Sequence, residues 1–406
     1  MDKLKLAIFN TQPPHICCGG VERRIIELGK RLLNKNIDIT VYSGTKSGFR
    51  NIAMVDGIKI VPCFSTDMFF PIDNWFFNKS VLWISRKNEA DIYEAHTVSG
   101  YRVARFLHDR EMRSKPFIQV IHGVLADEYL ESFKEQPMTA RTKLAKLFLP
   151  HLSKLEKESA EKATLIVTIS KYSFKKIVQL YGIDREKIRI VPNGVDAQKF
   201  KPDFISRMQT KREMKLKEDE KYVLFVGNLV PRKGLYLLIN AAKKVFAEIK
   251  NVKVLIAGTG PLRNSLLRYA ETKGVLDRII FLGQVKDEIL PKLYNCCDVV
   301  VLPSLQEGQG IALLEAQAAA KPVVACRVGG VPEIVLDGET GILVQPREEE
   351  LAMAMIKLLS DDNLREKMGM AGRRFVCENF TWEKCAEKML NVYYEAINQG
   401  LTKTNS

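Results

Sequence analysis

Short β-branched runs alternate with helix-forming segments along this chain, and most of the runs end in a turn that contains glycine. The alternation occurs in two successive series, one before residue 199 and one after residue 220. Strand, helix and strand in this order predict parallel strands joined by crossover helices. We therefore predict an α/β protein with two doubly wound, Rossmann-like domains that face each other across a cleft. Ligands are expected at the carboxyl ends of the strands.

The chain has 406 residues, which is too long for one ordinary hydrophobic core. Residues 199–220 are polar and highly charged, and we interpret them as the link into a second domain. The predicted domains are 1–198 and 199–380. A last helix over 381–406 carries apolar residues that indicate docking on the first domain: Trp382, Met389, Val392 and Tyr393.

Several features of the sequence bear on its compartment and its metal content. No run approaches about 18 apolar residues, which predicts no membrane-spanning helix. Residues 1–5 lead directly into a strand without a signal-peptide pattern, so we expect a cytoplasmic protein. The eight cysteines form no Cys-x-x-Cys pattern and the five histidines lack ligand spacing, which predicts no metal site and no cofactor.

The net charge of +14 is concentrated in the first half of the chain. Residues 1–200 hold 32 lysines and arginines against 22 aspartates and glutamates, whereas residues 201–406 hold 30 against 26. Such a surface favours anionic partners, which include phospholipid headgroups, nucleic acid and phosphorylated substrates. The alternative is that the charge only maintains solubility.

Aromatic and basic segments of the first half have two interpretations. Residues 66–84 combine two aromatic clusters around a turn, which is typical either of core packing or of a surface patch for a membrane interface. Core packing is the interpretation we adopt. Residues 101–115 and 141–149 predict helices with basic faces, suited to acidic lipids on the inner face of the membrane or simply to solvent.

Three candidate sites follow predicted strands, two in the first half of the chain and one in the second half. Gly19 and Gly20 lie at a strand-to-helix turn, where the backbone approaches a phosphate closely or merely turns tightly. His122 follows the strand over 117–121, in a position typical of either chemistry or a structural hydrogen bond. Arg232 and Lys233 precede Gly234 and suit a diphosphate, although such a surface pair is common.

The most informative stretch is 307–315, with the sequence Glu-Gly-Gln-Gly-Ile-Ala-Leu-Leu-Glu. It follows a β-branched run and leads into an Ala-rich helix that begins near Ile311. The amide groups at the start of that helix favour an anionic or hydroxyl-rich ligand. Glu307 and Glu315 bracket the site and are placed to face one bound molecule. The alternative is that Glu307 favours the helix terminus and Glu315 is solvated.

With these residues the chain resembles the retaining glycosyltransferases of family 4, which are nucleotide-sugar-dependent enzymes of GT-B architecture. The most specific element is the Glu-x7-Glu pattern of Glu307 and Glu315, followed by Gly-Gly-Val-Pro-Glu at 329–333. Further matching motifs lie at 19–23, 192–196, 227–234 and 258–261. The resemblance covers nearly the whole chain and is strongest over 220–345.

The resemblance implies that the first domain is the acceptor side and the second domain holds the nucleotide sugar. Glu307 would contact the donor hexose, Glu315 the ribose hydroxyls, and His122 would lie near the anomeric carbon, so Glu307 and His122 are the implied catalytic residues. The implied donor-binding residues are Gly19, Gly20, Arg232, Lys233, Val285, Gly308, Gln309, Gly310, Ile311 and Glu315. The family needs no bound metal, because cations and a helix terminus carry the charge of the leaving group.

Two departures from the family pattern concern donor binding. Gly227 is followed by Asn228 where an arginine is common, so one cation for the diphosphate is absent. Gln309 replaces the aromatic residue of the usual Glu-Gly-Phe-Gly sequence. The first departure bears on phosphate affinity and the second on donor choice.

The implied function is retaining transfer of a hexosyl unit to a glycan or lipid-linked acceptor in cell-envelope or glycan biosynthesis. A UDP-sugar is favoured over GDP-mannose as the donor. One alternative is a catalytically inactive basic protein of this fold that binds membrane or nucleic acid. Another is a dinucleotide-dependent oxidoreductase, but Pro261 after Gly258-Thr259-Gly260 breaks the spacing that such an enzyme needs.

Overall fold

The computed structural model describes residues 3–17, 19–45, 48–66, 70–87, 89–109, 115–132 and 140–404, with the backbone alone at 70, 140–145, 204, 206 and 401–404. The chain divides into two compact units. Unit 1 comprises Met1–Leu130, Arg141–Asn193 and Trp382–Ser406. Unit 2 comprises Glu131–Ala140 and Gly194–Thr381.

Unit 1 is built on an eight-stranded sheet with the order β3-β4-β2-β1-β5-β6-β7-β8. Only β3 runs antiparallel to its neighbour. Its strands are β1 (Leu4–Asn10), β2 (Ile37–Gly44), β3 (Ala53–Val55), β4 (Ile58–Cys63), β5 (Ile92–His96), β6 (Phe117–Ile121), β7 (Leu165–Thr168) and β8 (Ile188–Ile190). Its helices are α1 (Gly20–Leu33), α2 (Phe70–Ser85), α3 (Tyr101–Asp109), α4 (Leu125–Glu131, whose last residue falls in unit 2), α5 (Ala140–Lys162), α6 (Lys171–Lys176) and α14 (Trp382–Thr404), with a π-helical turn over Ile177–Tyr181 and a 3₁₀ turn over Arg185–Lys187.

Unit 2 contains a six-stranded, fully parallel sheet with the order β11-β10-β9-β12-β13-β14. Its strands are β9 (Lys221–Val226), β10 (Val252–Ala257), β11 (Ile279–Gly283), β12 (Val299–Leu302), β13 (Val323–Cys326) and β14 (Gly341–Val344). Its helices are α7 (Phe204–Glu213), α8 (Leu235–Glu248), α9 (Arg263–Thr272), α10 (Leu290–Cys296), α11 (Ile311–Ala318), α12 (Glu348–Ser360) and α13 (Asp362–Asn379), with 3₁₀ turns over Pro231–Lys233, Leu276–Arg278 and Val331–Glu333.

The sequence explains why both sheets are interior layers. The central strands of both sheets are mostly apolar, and β12 and β13 are apolar and buried along their whole length. Parallel strands covered by helices on both faces require such runs, because neither face meets water. The predicted α/β class and the two doubly wound domains are therefore confirmed.

Each sheet has one point at which its strand order reverses, and ligands bind at such points in open α/β sheets. In unit 1 the reversal lies between β1 and β5, and in unit 2 it lies between β9 and β12. The loops that follow these strands are therefore the candidate positions of a ligand site.

Two expectations from the sequence need correction. The segment 199–220 is more than a linker, because it contains α7, which packs against α10. Arg207 on α7 forms an ion pair of 2.8 Å with Asp298, and this pairing explains how so polar a segment is held in the unit. The segment 66–84 packs only in part: Phe77 is fully buried, but Trp75 and Trp83 are 40% and 60% exposed.

The helices predicted from the sequence are confirmed in some places and not in others. The apolar residues of the last helix are buried as expected, and α14 packs against α1. The predicted basic helix over 101–115 ends at Asp109, and residues 110–114, with Arg110 and Arg113, lie outside the described part. The same is true of Cys18, of Met68 and Phe69, and of the side chains of Arg141 and Lys143.

Candidate functional site

The loops after β9 and β12 meet at the reversal point of the second sheet. Arg232 and Lys233 belong to the loop after β9, and Glu307 belongs to the loop after β12. The two loops are joined by a backbone hydrogen bond of 2.7 Å from the amide of Leu305 to the carbonyl of Arg232. The carboxylate and the cations are therefore neighbours because their strands are neighbours.

Lys233 and Glu307 form a mostly buried ion pair between Nζ and Oε2, with side-chain exposures of 13% and 11%. The Ser304 hydroxyl also donates to Glu307 Oε2, at 3.2 Å. Burial favours a neutral Glu307, but the positive charges of Lys233 and Arg232 outweigh it and hold the pKa of this carboxyl below its usual value. Glu307 is thus an ionised hydrogen-bond acceptor near neutral pH.

Two glycines allow the Glu307 loop to approach its neighbours closely. Gly234 has φ +66°, and a Cβ at this position would lie 1.9 Å from the carbonyl oxygen of Pro303. Gly329 has φ +55°, and its Cβ would lie 1.8 Å from the carbonyl oxygen of Glu307. Any other residue would be strained in both places and would displace backbone. The loop is consequently fixed from both sides, by the segments after β9 and after β13.

Helix α11 begins at Ile311, as predicted, directly after this loop. Its N-cap is Gly310, which has φ +97° and provides no side-chain cap. Gln309 is 1% exposed, so it contributes to the interior of the loop and presents little surface. Gly308 and Gly310, which have no side chains, therefore present backbone on both sides of the buried Gln309, close to Glu307.

Glu315 lies within α11 and is 3% exposed. The Tyr294 hydroxyl donates to its Oε2 at 2.8 Å. The alternative that Glu315 is a solvated residue is wrong, because α10 covers it. Its predicted role toward ribose hydroxyls remains a prediction.

Two other residues singled out from the sequence lie at the same edge of the sheet. Val285 follows β11, which is separated from β12 by β10 and β9. It is half-buried and packs against the core. Asn228 follows β9 directly and is exposed.

In unit 1 the reversal point is next to Gly19 and Gly20, at the start of α1. Gly19 is the N-cap of α1, with φ −113°, a conformation open to any residue. The position has little room for a side chain, because an added Cβ would lie 2.1 Å from Glu22 Oε2. Glu22 is 7% exposed and accepts a 3.1 Å hydrogen bond from the Asn10 side chain.

His122 follows β6 and stacks on His96, the last residue of β5, with ring centroids 5.1 Å apart. The His96 Nδ1 and His122 Nε2 atoms are 2.8 Å apart, which is a hydrogen-bond distance. Behind them, His96 Nε2 lies 2.9 Å from Glu94 Oε1, close enough for an ion pair although the atoms are not aligned as a regular hydrogen bond. The Tyr393 hydroxyl donates to the other Glu94 oxygen at 2.7 Å.

Burial and the neighbouring polar groups together determine the charge states in this second cluster. Burial lowers the pKa of His122 well below its usual value, and the nearby His96 and Arg24 lower it further. For Glu94, burial opposes ionisation, but His96, the Tyr393 hydroxyl and Arg24 together keep its pKa below the usual value. The cluster therefore pairs a neutral His122 with an ionised Glu94.

The structure thus groups the selected residues into one set in each unit, and it adds residues that the sequence did not reveal. Ser304 and Tyr294 hold the two glutamates of unit 2, and His96 and Glu94 support His122 in unit 1. Ser304 precedes Glu307 by three residues. His96 lies at the end of β5, much as His122 follows the end of β6. Only these positions in the sequence pointed to the supporting residues. Among the residues that the structure describes, no three His, Cys, Asp or Glu side chains converge as a metal-binding group.

Models of known protein families match both halves of the chain. The model described as Glycosyltransferase Family 4 matches residues 18–199, and the model described as Glycosyl transferases group 1 matches residues 206–375. An uncharacterised glycosyltransferase of Methanocaldococcus jannaschii is 34% identical over 246 residues, which are 60% of this chain and 63% of that protein. A D-inositol 3-phosphate glycosyltransferase of Nocardia farcinica is 33% identical over 250 residues, which are 60% of this chain and 55% of that protein. These matches therefore span less than two thirds of either relative.

Solved structures agree on the fold. Sucrose-phosphate synthase of Thermosynechococcus elongatus superposes with a TM-score of 0.82 at 22% identity, covering 97% of this chain and 99% of that one. Anabaena HepE in complex with UDP-glucose gives a TM-score of 0.74 at 18% identity, covering 97% and 100%. Both family models and both folds agree with the GT-B architecture, and the chain belongs to the glycosyltransferases of family 4.

Proposed function

We propose that this protein transfers a hexosyl unit, with retention of anomeric configuration, from a UDP-sugar to a glycan or lipid-linked acceptor. The observation that carries the proposal is the buried Lys233–Glu307 pair at the reversal point of the second sheet. A binding protein without catalysis has little need for a desolvated carboxylate and cations at this position. The pair gives the site a positive charge for the donor phosphate and a negative charge for the hydroxyl groups of the sugar.

The cations and the start of α11 suit the diphosphate of the donor. Arg232 offers paired N–H donors, and Lys233 contributes a compact positive charge. The backbone amide groups around Ile311 and the positive end of the helix dipole add to this field. In the proposed reaction these groups stabilise the departing nucleoside diphosphate, which acquires negative charge as the glycosidic bond breaks.

Glu307 suits the hydroxyl groups of the donor hexose. An ionised carboxylate accepts hydrogen bonds from sugar hydroxyls, and Lys233 and Ser304 fix its orientation. Binding of the donor phosphate competes with Glu307 for the Lys233 ammonium. We infer that Lys233 contacts both groups, which would couple recognition of the sugar to recognition of the phosphate.

For His122 we propose stabilisation of the transferred sugar rather than nucleophilic attack. Its neutral state supports this role, because a neutral imidazole accepts a hydrogen bond from a sugar hydroxyl. The departing diphosphate, rather than a protein carboxylate, takes the proton of the acceptor as the oxocarbenium-like transition state collapses. We propose that transfer needs no metal, because protein cations carry the charge of the leaving group.

The donor base and the acceptor are proposed from the relatives of the chain and from its charge. Anabaena HepE was solved in complex with UDP-glucose, which supports UDP as the nucleotide. The Nocardia relative is named for D-inositol 3-phosphate, a phosphorylated acceptor, and the basic first half of this chain suits an anionic acceptor or membrane surface. A role in cell-envelope or glycan biosynthesis follows from an acceptor of this kind.

Calorimetric titration with UDP and with GDP tests the donor site. The wild type is expected to bind one of them, and Glu315→Ala is expected to weaken that binding sharply. Transfer is then followed by nuclear magnetic resonance, which reads the anomeric configuration of the product, with and without EDTA. Absence of binding by both nucleotides would favour the non-catalytic alternative, and an inverted product would refute retention.

A further inference from the structure

The outer face of α2 is a stripe of exposed apolar and basic side chains. Ile72, Trp75, Lys79 and Trp83 follow one another at intervals of three, four and four residues, which places them on one side of the helix. Ile72, Trp75 and Trp83 are 41%, 40% and 60% exposed. Two exposed tryptophans on one side of a helix, about two turns apart, are costly in water, so this surface requires an explanation.

The opposite face of α2 is fixed to unit 1. Phe77 and Val81 are fully buried, and the Asn78 side chain donates to the carbonyl of Val98 at 3.0 Å. The Thr11 hydroxyl donates to Asn74 Oδ1 at 3.0 Å. The stripe therefore lies on a helix that is held firmly in unit 1. Because the inner face of α2 is fully packed, a poorly packed inner face does not explain why the tryptophans face outward.

Cations accompany the aromatic rings along the stripe. Lys79 Nζ lies 4.2 Å from the centre of the Trp75 ring, and Lys87 Nζ lies 3.8 Å from the centre of the Trp83 ring. Arg86 continues the line of exposed cations. Within the described part of the chain, none of Lys79, Arg86 and Lys87 forms an ion pair with a carboxylate, so their charge is available to an anionic partner.

The apolar part of the surface extends beyond the helix. Phe64 is 60% exposed and lies edge-on to Phe76, with ring centroids 5.6 Å apart. Phe76 in turn lies edge-on to Trp75 at 4.9 Å. The α2 surface, by which we mean Phe64, Ile72, Trp75, Phe76, Lys79, Trp83, Arg86 and Lys87, thus combines a continuous apolar strip with unpaired cations.

We infer that the α2 surface is a docking surface for an anionic phospholipid bilayer. Tryptophan rings prefer the headgroup level of a membrane, and lysines extend their charge toward the phosphates while their methylene chains stay in the apolar zone. Ile72 and Phe64 contribute apolar side chains that enter the acyl boundary. Stacking of sugars is disfavoured, because one face of each tryptophan ring already carries an ammonium group.

This inference deepens the proposed function, because it names the surface by which the protein would reach a lipid-linked acceptor. Of the segments that the sequence suggested for membrane contact, it selects the aromatic segment, which contains α2, over the predicted basic helices 101–115 and 141–149. The two proposals are tested separately, since vesicle binding is measured without donor and nucleotide binding is measured without lipid.

The tryptophan content of the chain makes a direct test feasible. There are three tryptophans, and the third, Trp382, is 2% exposed. Fluorescence of the wild type is recorded with vesicles of phosphatidylcholine and phosphatidylglycerol that carry brominated acyl chains. We expect quenching and a blue shift. Trp75→Phe with Trp83→Phe leaves Trp382 as the reporter, and its emission is expected to stay unquenched.

Partition is then measured by vesicle flotation. Trp75→Ala with Trp83→Ala is expected to lower the partition coefficient at least tenfold. Lys79→Gln with Lys87→Gln is expected to lower it about 25-fold on anionic vesicles, at about fivefold per cation, and to leave any residual binding to neutral vesicles unchanged. Ile205→Ala with Met353→Ala is the matched control, because these residues are 80% and 69% exposed in unit 2.

Three outcomes would overturn the inference. The first is absence of flotation on anionic vesicles by a wild type that still binds nucleotide. The second is quenching of Trp382 equal to that of the wild type. The third is binding of single-stranded nucleic acid, but not of vesicles, that is lost in the same variants. That result would assign the surface to base stacking instead.

Discussion

The His122 Nε2 atom lies 2.8 Å from His96 Nδ1, and His96 Nε2 lies 2.9 Å from the ionised Glu94. The contact with Glu94 fixes the His96 ring, and the hydrogen bond and the stacking between the two rings fix His122 in turn. Glu94 and His96 thereby act as positioning residues that orient the His122 ring.

The first prediction concerns pH. Because the pKa of His122 is lowered in the folded protein, the unfolded chain takes up a proton that the folded chain does not. The free energy of unfolding therefore falls as pH drops below the unfolded pKa of about 6.5, by up to about 1.4 kcal/mol per pH unit. Denaturant unfolding between pH 5 and 7 measures this slope. His122→Asn should reduce the slope, whereas His151→Asn, at an exposed histidine, should not.

The second prediction concerns transfer by variants of the His122 cluster. His122→Ala is expected to lower kcat about 100-fold, at the low end of the loss seen when one stabilising group is removed. Glu94→Gln is expected to lower kcat less and to change the pH profile of transfer, because an amide does not hold the His96 proton as a carboxylate does. Near-normal transfer by His122→Ala would rule out its proposed role.

The third prediction concerns the Lys233–Glu307 pair. Lys233→Ala leaves Glu307 mostly buried without its ion-pair partner, so we expect lower stability and at least tenfold weaker nucleotide binding. Glu307→Gln keeps the shape and is expected to lower kcat/KM about 100-fold with a smaller effect on nucleotide affinity, because it contacts the sugar. Equal losses of UDP affinity in both variants would argue against this division of roles.

The fourth prediction concerns the support of Glu315. Tyr294→Phe removes the hydroxyl that donates to Glu315 Oε2, at a cost of about 1 kcal/mol in the free energy of unfolding. Calorimetry should show that nucleotide affinity falls less in Tyr294→Phe than in Glu315→Ala, since the carboxylate itself remains. The reverse order would indicate that Tyr294, rather than Glu315, contacts the ligand.

The fifth prediction separates backbone strain from collision in the Glu307 loop. Gly234→Ala combines a left-handed φ with a Cβ that would lie 1.9 Å from the Pro303 carbonyl oxygen. Gly274→Ala has a similar φ of +68° but no atom within 4 Å of its Cβ. Strain alone costs about 1 kcal/mol, so thermal unfolding should show a clearly larger loss for Gly234→Ala. Similar losses would mean that the loop moves aside freely.

Much of the fold could be predicted from the sequence, because parallel strands buried on both faces need continuous apolar runs. The runs at β9, β10, β12 and β13 are of this kind. The antiparallel hairpin of β3 and β4 was not identified, since its short strands are only partly buried and are not flanked by crossover helices. Helix α7 was missed because its sequence is polar, and contacts from distant residues hold it in place.

The candidate sites divide in the same way. Glycines, cations and glutamates that follow strands were identified from local spacing. Glu94 was overlooked because a single carboxylate within a strand has no local pattern, and its partner Tyr393 lies 299 residues away. The exposure of Trp75 and Trp83 could not be derived either, because an aromatic helix with one outward stripe has the same composition as a buried helix.

The return of α14 to unit 1 has a consequence for biosynthesis. Tyr393 closes the Glu94 cluster, so unit 1 lacks part of its buried interior until the segment Trp382–Thr404 has left the ribosome. Most of unit 2, Gly194–Thr381, is contiguous and is complete before that point. Although it comes second in the sequence, unit 2 can finish folding first during translation.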